Sequence, residues 1–105
     1  MERYAWKARV LPGMRAEYIK RHDEIWPELA EVLRGAGLRN YSIWLSGDEL
    51  FGYYECAFGI DFAARAQSAS AVVDRWNAYM KDVMVMEMDP RTGAQPKMEE
   101  VFYLG

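Results

Sequence analysis

Tyr4, Trp6, Ala8 and Val10 alternate with Ala5, Lys7 and Arg9. That period of two predicts a half-buried strand over residues 3–11. Pro12-Gly13 interrupts it. From Met14 the apolar positions change to helical spacing: Met14, Tyr18, Ile25 and Leu29, with Val32 and Leu33 beyond. Pro27 lies inside this stretch, where its ring crowds the preceding turn and removes a backbone donor, so a kink or break is predicted near Ile25-Trp26. Trp26-Pro27-Glu28 can then open a second helical piece, because proline suits a first turn, and Gly35 and Gly37 end it. Alternation returns over residues 38–46, with Tyr41, Ile43 and Leu45 on one side and Ser42 and Trp44 on the other. Ser46-Gly47-Asp48 is a turn signal, and residues 49–58 complete a hairpin. A polar, alanine-rich stretch leads to the stripe Val72, Val73, Trp76, Tyr79, Met80 and Val83, which predicts a helix from about Ala71 to Val83. Asp89-Pro90, Thr92-Gly93 and Pro96 mark residues 87–97 as a loop, and a last strand is predicted from Glu99 to Leu104.

Strand, helix, strand, strand, helix, strand is the order of the split βαβ, or ferredoxin-like, α+β arrangement. Right-handed crossovers then place two helices on one face of a four-stranded antiparallel sheet. The other face of a one-sided sheet ordinarily carries polar residues. Here both faces carry large aromatics: Tyr4, Trp6, Tyr41, Trp44, Phe51, Tyr53, Tyr54, Phe102 and Tyr103. That surplus points to a homodimer contact or a ligand cavity rather than to ordinary half-exposed tyrosines.

Composition narrows the function. At 105 residues, a single domain spanning 1–105 is expected. The net charge of −3, without a basic block, argues against nucleic acid as a partner. The longest apolar run, Val83 to Met86, is far short of the ~20 residues that span a bilayer, so no membrane partner is expected. The first twenty residues are too charged for a signal segment, and one cysteine, Cys56, permits no internal disulfide, so a cytoplasmic location is expected. With one histidine and one cysteine there is no zinc-type ligand set, and His22-Asp23-Glu24 point about 100° apart on a helix, so no metal site is expected.

The residues offer one candidate centre. Tyr18 and His22 stand four apart, on the side of the first helix continued by Ile25 and Leu29. His22 reads equally as a satisfied, partly buried histidine or as a proton-transfer group, the latter because its reference pKa of about 6.5 suits exchange near neutrality. Trp76 reads first as a core tryptophan, and otherwise as a stacking wall for a sugar or ring, with Asn77 beside it as a hydrogen-bonding amide. Tyr41 can supply a hydroxyl. Cys56 lies in an apolar strand pattern and reads as a small hydrophobe. Gly35-Ala36-Gly37 ends a helix and lacks the third glycine of a dinucleotide loop.

Arg21-His22-Asp23-Glu24-Ile25-Trp26-Pro27-Glu28-Leu29, preceded by Tyr18, is similar to the L-rhamnose mutarotase family. The likeness continues through Asn40-Tyr41-Ser42-Ile43, resumes from Arg75 to Met84, and includes Glu100-Val101-Phe102-Tyr103-Leu104. This resemblance implies a homodimer of the dimeric α+β barrel type that interconverts the α and β anomers of L-rhamnopyranose without a cofactor. It implies His22 as the proton donor, Tyr18 and Tyr41 as sugar-contacting tyrosines, and Trp76 as the first residue of a tryptophan pair lining the sugar. The chain departs from the pattern at the second member of the pair, Asn77, and at Met88-Asp89-Pro90-Arg91-Thr92-Gly93. Both departures sit where the substrate would be held, so a related aldose such as L-fucose is the alternative substrate. A cofactor-free oxygenase on the same fold and a non-catalytic sugar-binding module are the alternatives of other classes.

Overall fold

A computed structural model of the chain describes residues 1–86 and 98–105. The alternating N-terminal segment is β1 (Glu2–Val10), and the predicted hairpin is β2 (Leu38–Ser46) and β3 (Glu49–Cys56). A short β4 (Met84–Val85) completes an antiparallel sheet in the order β2-β3-β1-β4. The helical connections are α1 (Arg15–Asp23), α2 (Pro27–Gly35), α3 (Ile60–Ser68) and α4 (Ala71–Tyr79), the last running into a 3₁₀ turn at Met80–Asp82. The four-stranded split βαβ sheet and the break in the first helix are as expected. The helix α4 with its 3₁₀ turn occupies the expected helix at about 71–83, and α3 is an additional helix in the alanine-rich stretch before it.

The break falls where proline predicts it. Trp26 is extended, as a residue before proline prefers, and Pro27 occupies the first turn of α2. Gly37, at φ +89°, then turns the chain into β2. The helix α3 was not predicted, because its core-facing positions, Ile60, Ala63 and Ala66, include two alanines and read as part of a polar, alanine-rich stretch. Its capping is partly tertiary: the Ile60 amide donates to the Glu2 carboxylate, 58 residues away. The Ser70 hydroxyl caps α4 locally by accepting from the Val73 amide.

The expected strand at 99–104 is corrected. No described residue from Met98 onward forms a strand, and the fourth position belongs to Met84–Val85, opposite Arg9 and Val10. The Met98 amide does donate to the Ala5 carbonyl on the same edge of β1. Beyond it the tail is held by side chains, with Glu100 ion-paired to Arg3 and the Arg3 guanidinium over the Tyr103 ring. Alternation reports a tendency to extend, whereas a ladder also needs backbone partners in register. The expected loop at 87–97 lies outside the described residues.

Trp6, Ala8 and Val10 from β1 and Leu50, Tyr54 and Cys56 from β3 form the inner face of the sheet. They pack with Tyr18, Ala36, Leu38, Ala63, Met80 and Val83 in one core. Leu50 is fully buried at its centre, a contribution of roughly 1.5–3 kcal/mol. Cys56 is buried within this core, as its strand position suggested. No helix among the described residues is long and apolar enough to cross a membrane.

β2 departs from regular pairing. Arg39 faces Glu55 and Ser42 faces Tyr53, so Asn40 and Tyr41 together oppose Tyr54. This bulge contains Asn40 at φ +50°, a left-handed conformation that asparagine tolerates. It changes the phase of the alternation. Leu38, before the bulge, and Ile43, after it, both lie opposite inner-face residues, Cys56 and Gly52. Tyr41 is turned inward with them, toward Trp6 and Tyr54.

Candidate active site

Tyr18 and His22, one turn apart on α1, stack with ring centroids 4.3 Å apart. The His22 Nδ1 lies 3.1 Å from the Tyr18 carbonyl oxygen. A carbonyl can only accept, so Nδ1 carries the proton and donates it. This places the second ring nitrogen, Nε2, as the one available to another molecule. The edge of Trp76 meets the His22 ring at 5.4 Å and 86°, joining α4 to the same cluster. Trp26, at the head of α2, packs edge to face on Trp76 and is close to Tyr79.

Arg21 locks these elements together. Its Nη1 donates to the Tyr79 carbonyl at 2.6 Å and to Asp82 Oδ1 at 2.8 Å, and its Nε donates to Glu17. The guanidinium also covers the Tyr79 ring. A planar fork with several donors suits this multiple attachment, which ties the end of α1 to the end of α4.

The opposite wall comes from the sheet. The Trp6 indole N–H donates to the Tyr41 hydroxyl at 3.1 Å, and Tyr41 and Tyr54 are neighbours at 5.1 Å. Together these side chains line an open concavity of about 1660 Å³, floored by the buried Trp6, Tyr18 and Tyr54. It exceeds the roughly 300–1,000 Å³ usual for a small-molecule site, so a small ligand fills only part of it. Asn77 lies at its exposed margin, with Lys81 and Asp74, and is not in the ring stack.

The electrostatics keep the floor neutral. Burial lowers the pKa of His22, with the Tyr18 carbonyl and Asp23 opposing that shift more weakly. Burial raises the phenols of Tyr18 and Tyr41 above the ordinary tyrosine range and pushes Tyr54 up to about 12. Tyr41 illustrates how exposure divides within one residue. It is 39 % exposed overall, yet its hydroxyl is desolvated among Trp6, Tyr18, Tyr54 and Tyr4. The cluster therefore combines a neutral imidazole, protonated phenols and flat apolar rings. That set can hold a polyhydroxylated ring by stacking and hydrogen bonds while one nitrogen accepts and returns a proton.

All five residues singled out in the sequence line this one concavity, four of them in contact with its aromatic cluster and Asn77 at its margin. Sequence reasoning assigned no site role to Trp6, Trp26, Tyr54, Tyr79 or Arg21. Trp6 and Tyr54 carried a partial signal, since each is a large aromatic at an inward position of a strand. Arg21 carried no signal beyond its pairing with Glu17 four residues earlier, because Tyr79 and Asp82 lie 58 and 61 residues away.

Comparison with known proteins bears on the family and the fold. The sequence model of the L-rhamnose mutarotase family matches residues 3–104. The chain is 42% identical over 106 residues to the L-rhamnose mutarotase of Burkholderia ambifaria, covering 99% of each chain. It is likewise 42% identical over 109 residues to that of a Jannaschia species, again covering 99% of each. The crystal structure of an L-rhamnose mutarotase from Formosa agariphila superimposes over 100% of both chains with a TM-score of 0.80 at 30% identity. With sequence and fold shared along its full length, the chain belongs to the L-rhamnose mutarotase family.

Proposed function

We propose that this chain interconverts the α and β anomers of L-rhamnose, with His22 moving the proton and Tyr18, Tyr41 and Trp76 holding the sugar. The observation that carries the assignment of roles is the His22 ring, neutral, oriented through Nδ1 and presenting Nε2 in an aromatic concavity. Ring opening removes a proton from the anomeric hydroxyl and adds one to the ring oxygen. Both oxygens are attached to the anomeric carbon, so one nitrogen can serve both. In this reading Nε2 takes the hydroxyl proton and, as imidazolium, delivers it to the ring oxygen as the C–O bond breaks. Rotation about the bond between the first two carbons exposes the other face of the aldehyde. Closure reverses the two transfers, and no net proton or electron is exchanged. The faces of Trp76 and Tyr18 offer apolar surface to the pyranose C–H bonds and the 6-deoxy methyl group. Asn77, at the margin, is the neutral amide available to an outward sugar hydroxyl.

Saturation-transfer NMR of L-rhamnose measures anomer exchange directly. His22→Ala is expected to lower the catalysed rate by about 10²–10⁴-fold, and a rate equal to wild type would remove His22 from the chemistry. A panel with L-fucose and D-glucose tests the sugar, with L-rhamnose expected to exchange fastest.

The homodimer belongs to the same proposal. The outer sheet face carries Trp44, 69 % exposed, with Phe51 and Tyr53 beside it, and the tail presents exposed Val101, Phe102 and Leu104. Such an aromatic and aliphatic surface on a small chain is suited to a second copy of itself. A cytoplasmic setting is supported by the single cysteine, Cys56, which permits no internal disulfide.

A further inference from the structure

Trp6 and Gly52 face each other directly across β1 and β3. A Cβ at position 52 would lie 2.0 Å from the Trp6 Cε2 and 2.2 Å from its Nε1. The indole therefore lies in the space that any side chain at 52 would fill, and glycine is needed there for room. From this seat the indole N–H reaches the Tyr41 hydroxyl oxygen at 3.1 Å. Tyr41 is brought to that point by the bulge, two residues beyond Arg39 on the neighbouring strand.

An indole N–H can donate but cannot accept, so the direction of this hydrogen bond is fixed. A phenol hydroxyl keeps its hydrogen near the ring plane and has two such orientations. When an outside donor occupies one of them, the phenol's own proton turns to the other. We propose that Trp6, seated on Gly52, is a positioning residue that directs the Tyr41 hydroxyl proton toward the bound sugar. Tyr41 would then act as an oriented donor to a sugar oxygen, and Trp6 would act only through it. This inference rests on the proposed contact between Tyr41 and the sugar.

The test compares Trp6→Phe, Tyr41→Phe, the double variant and Gly52→Ala, with kcat and KM for L-rhamnose from saturation-transfer NMR and Tm for folding. Trp6→Phe keeps an aromatic ring and deletes the N–H. It is expected to lower kcat/KM about tenfold, the scale of one lost oriented hydrogen bond. Tyr41→Phe should lose at least as much, and the double variant should be no worse than Tyr41→Phe alone. Gly52→Ala should reproduce the kinetic loss with a lower Tm. The Trp6 indole N–H resonance supplies a reading in intact protein. It should shift on adding L-rhamnose to the wild type and stay still in Tyr41→Phe.

A folded Trp6→Phe with wild-type kcat/KM, beside an impaired Tyr41→Phe, would overturn the positioning role while leaving the sugar contact standing. Additive losses in the double variant would overturn it as well. Wild-type kinetics in Tyr41→Phe would remove the sugar contact itself. If Trp6→Phe does not fold, an indole resonance unmoved by L-rhamnose in the wild type overturns the role.

Discussion

His22 shows how one side chain can be set by its immediate surroundings. Its Nδ1 proton is engaged by the Tyr18 carbonyl, and burial lowers its pKa below the ordinary value of about 6.5. In the proposed mechanism the neutral ring, with Nε2 unprotonated, is the form that would accept the anomeric proton. The catalysed exchange rate, after subtraction of the spontaneous rate, should be flat through neutral pH. It should fall on acidification as pH passes through the lowered pKa, and a measured pH–rate profile checks this. A profile rising as pH falls toward 5 would mean that the imidazolium is the resting reactant. Stability should follow the same sign. The unfolded chain binds a proton at His22 more readily than the folded one, so the contribution present above pH 6.5 is lost as pH falls through the folded pKa. Denaturant midpoints at pH 7 and pH 5, in wild type and His22→Asn, would separate this contribution from that of the carboxylates. Tyr18 and His22 were legible as a pair because helical spacing alone places them together. The tautomer was not, since it depends on a carbonyl that spacing does not mention.

Two devices aim the site at the scale of elements. The bulge in β2 reverses the phase of the strand, so that Leu38 serves the core and Tyr41 the cavity. Its left-handed residue, Asn40, also donates from its side chain to Glu55, which accepts from Tyr53 as well. Asn40→Val places a β-branched residue in that conformation, at a backbone cost of ~1–2 kcal/mol. A lower denaturation midpoint and a raised KM for L-rhamnose are expected, since the aim of Tyr41 depends on the same turn. The mirrored signal in the sequence was the odd spacing between Leu38 and Tyr41, which a strict period of two cannot accommodate. The second device is Arg21, which holds α1 against the end of α4. Arg21→Ala should lower Tm and weaken L-rhamnose binding, as followed by tryptophan fluorescence, because Trp76 and His22 sit on the two elements it joins. Arg21→Lys should recover only part of the loss, an ammonium being unable to reproduce the planar fork. The helix α3 was missed because its stripe, Ile60, Ala63 and Ala66, relies on small alanines that stand out little within an alanine-rich, polar stretch.

On the scale of the whole molecule, the two faces of the sheet divide the aromatic surplus. The inner face places Tyr4, Trp6, Tyr41 and Tyr54 along the concavity, and the outer face leaves Trp44 exposed beside Phe51 and Tyr53. The proposed homodimer is checked by sedimentation equilibrium. Wild type is expected to sediment as a dimer, and Trp44→Glu combined with removal of residues 101–105 is expected to yield monomer. A wild type that is monomeric at micromolar concentration would leave the outer face as mere exposed surface. The order of elements as far as the β2–β3 hairpin, the break at Pro27, the turn at Gly47 and the Tyr18–His22 pair follow from the sequence alone, because each rests on neighbours in the chain or on periods of two and 3.6. The tertiary structure decided what lies between distant segments. It placed Met84–Val85, rather than residues 99–104, beside Arg9 and Val10, because strand pairing is settled by register and partner edge. It brought Trp6 onto Gly52 and against Tyr41, and Arg21 onto Asp82, because long-range contacts are chosen by how the packed faces meet and leave no local trace in the order of residues.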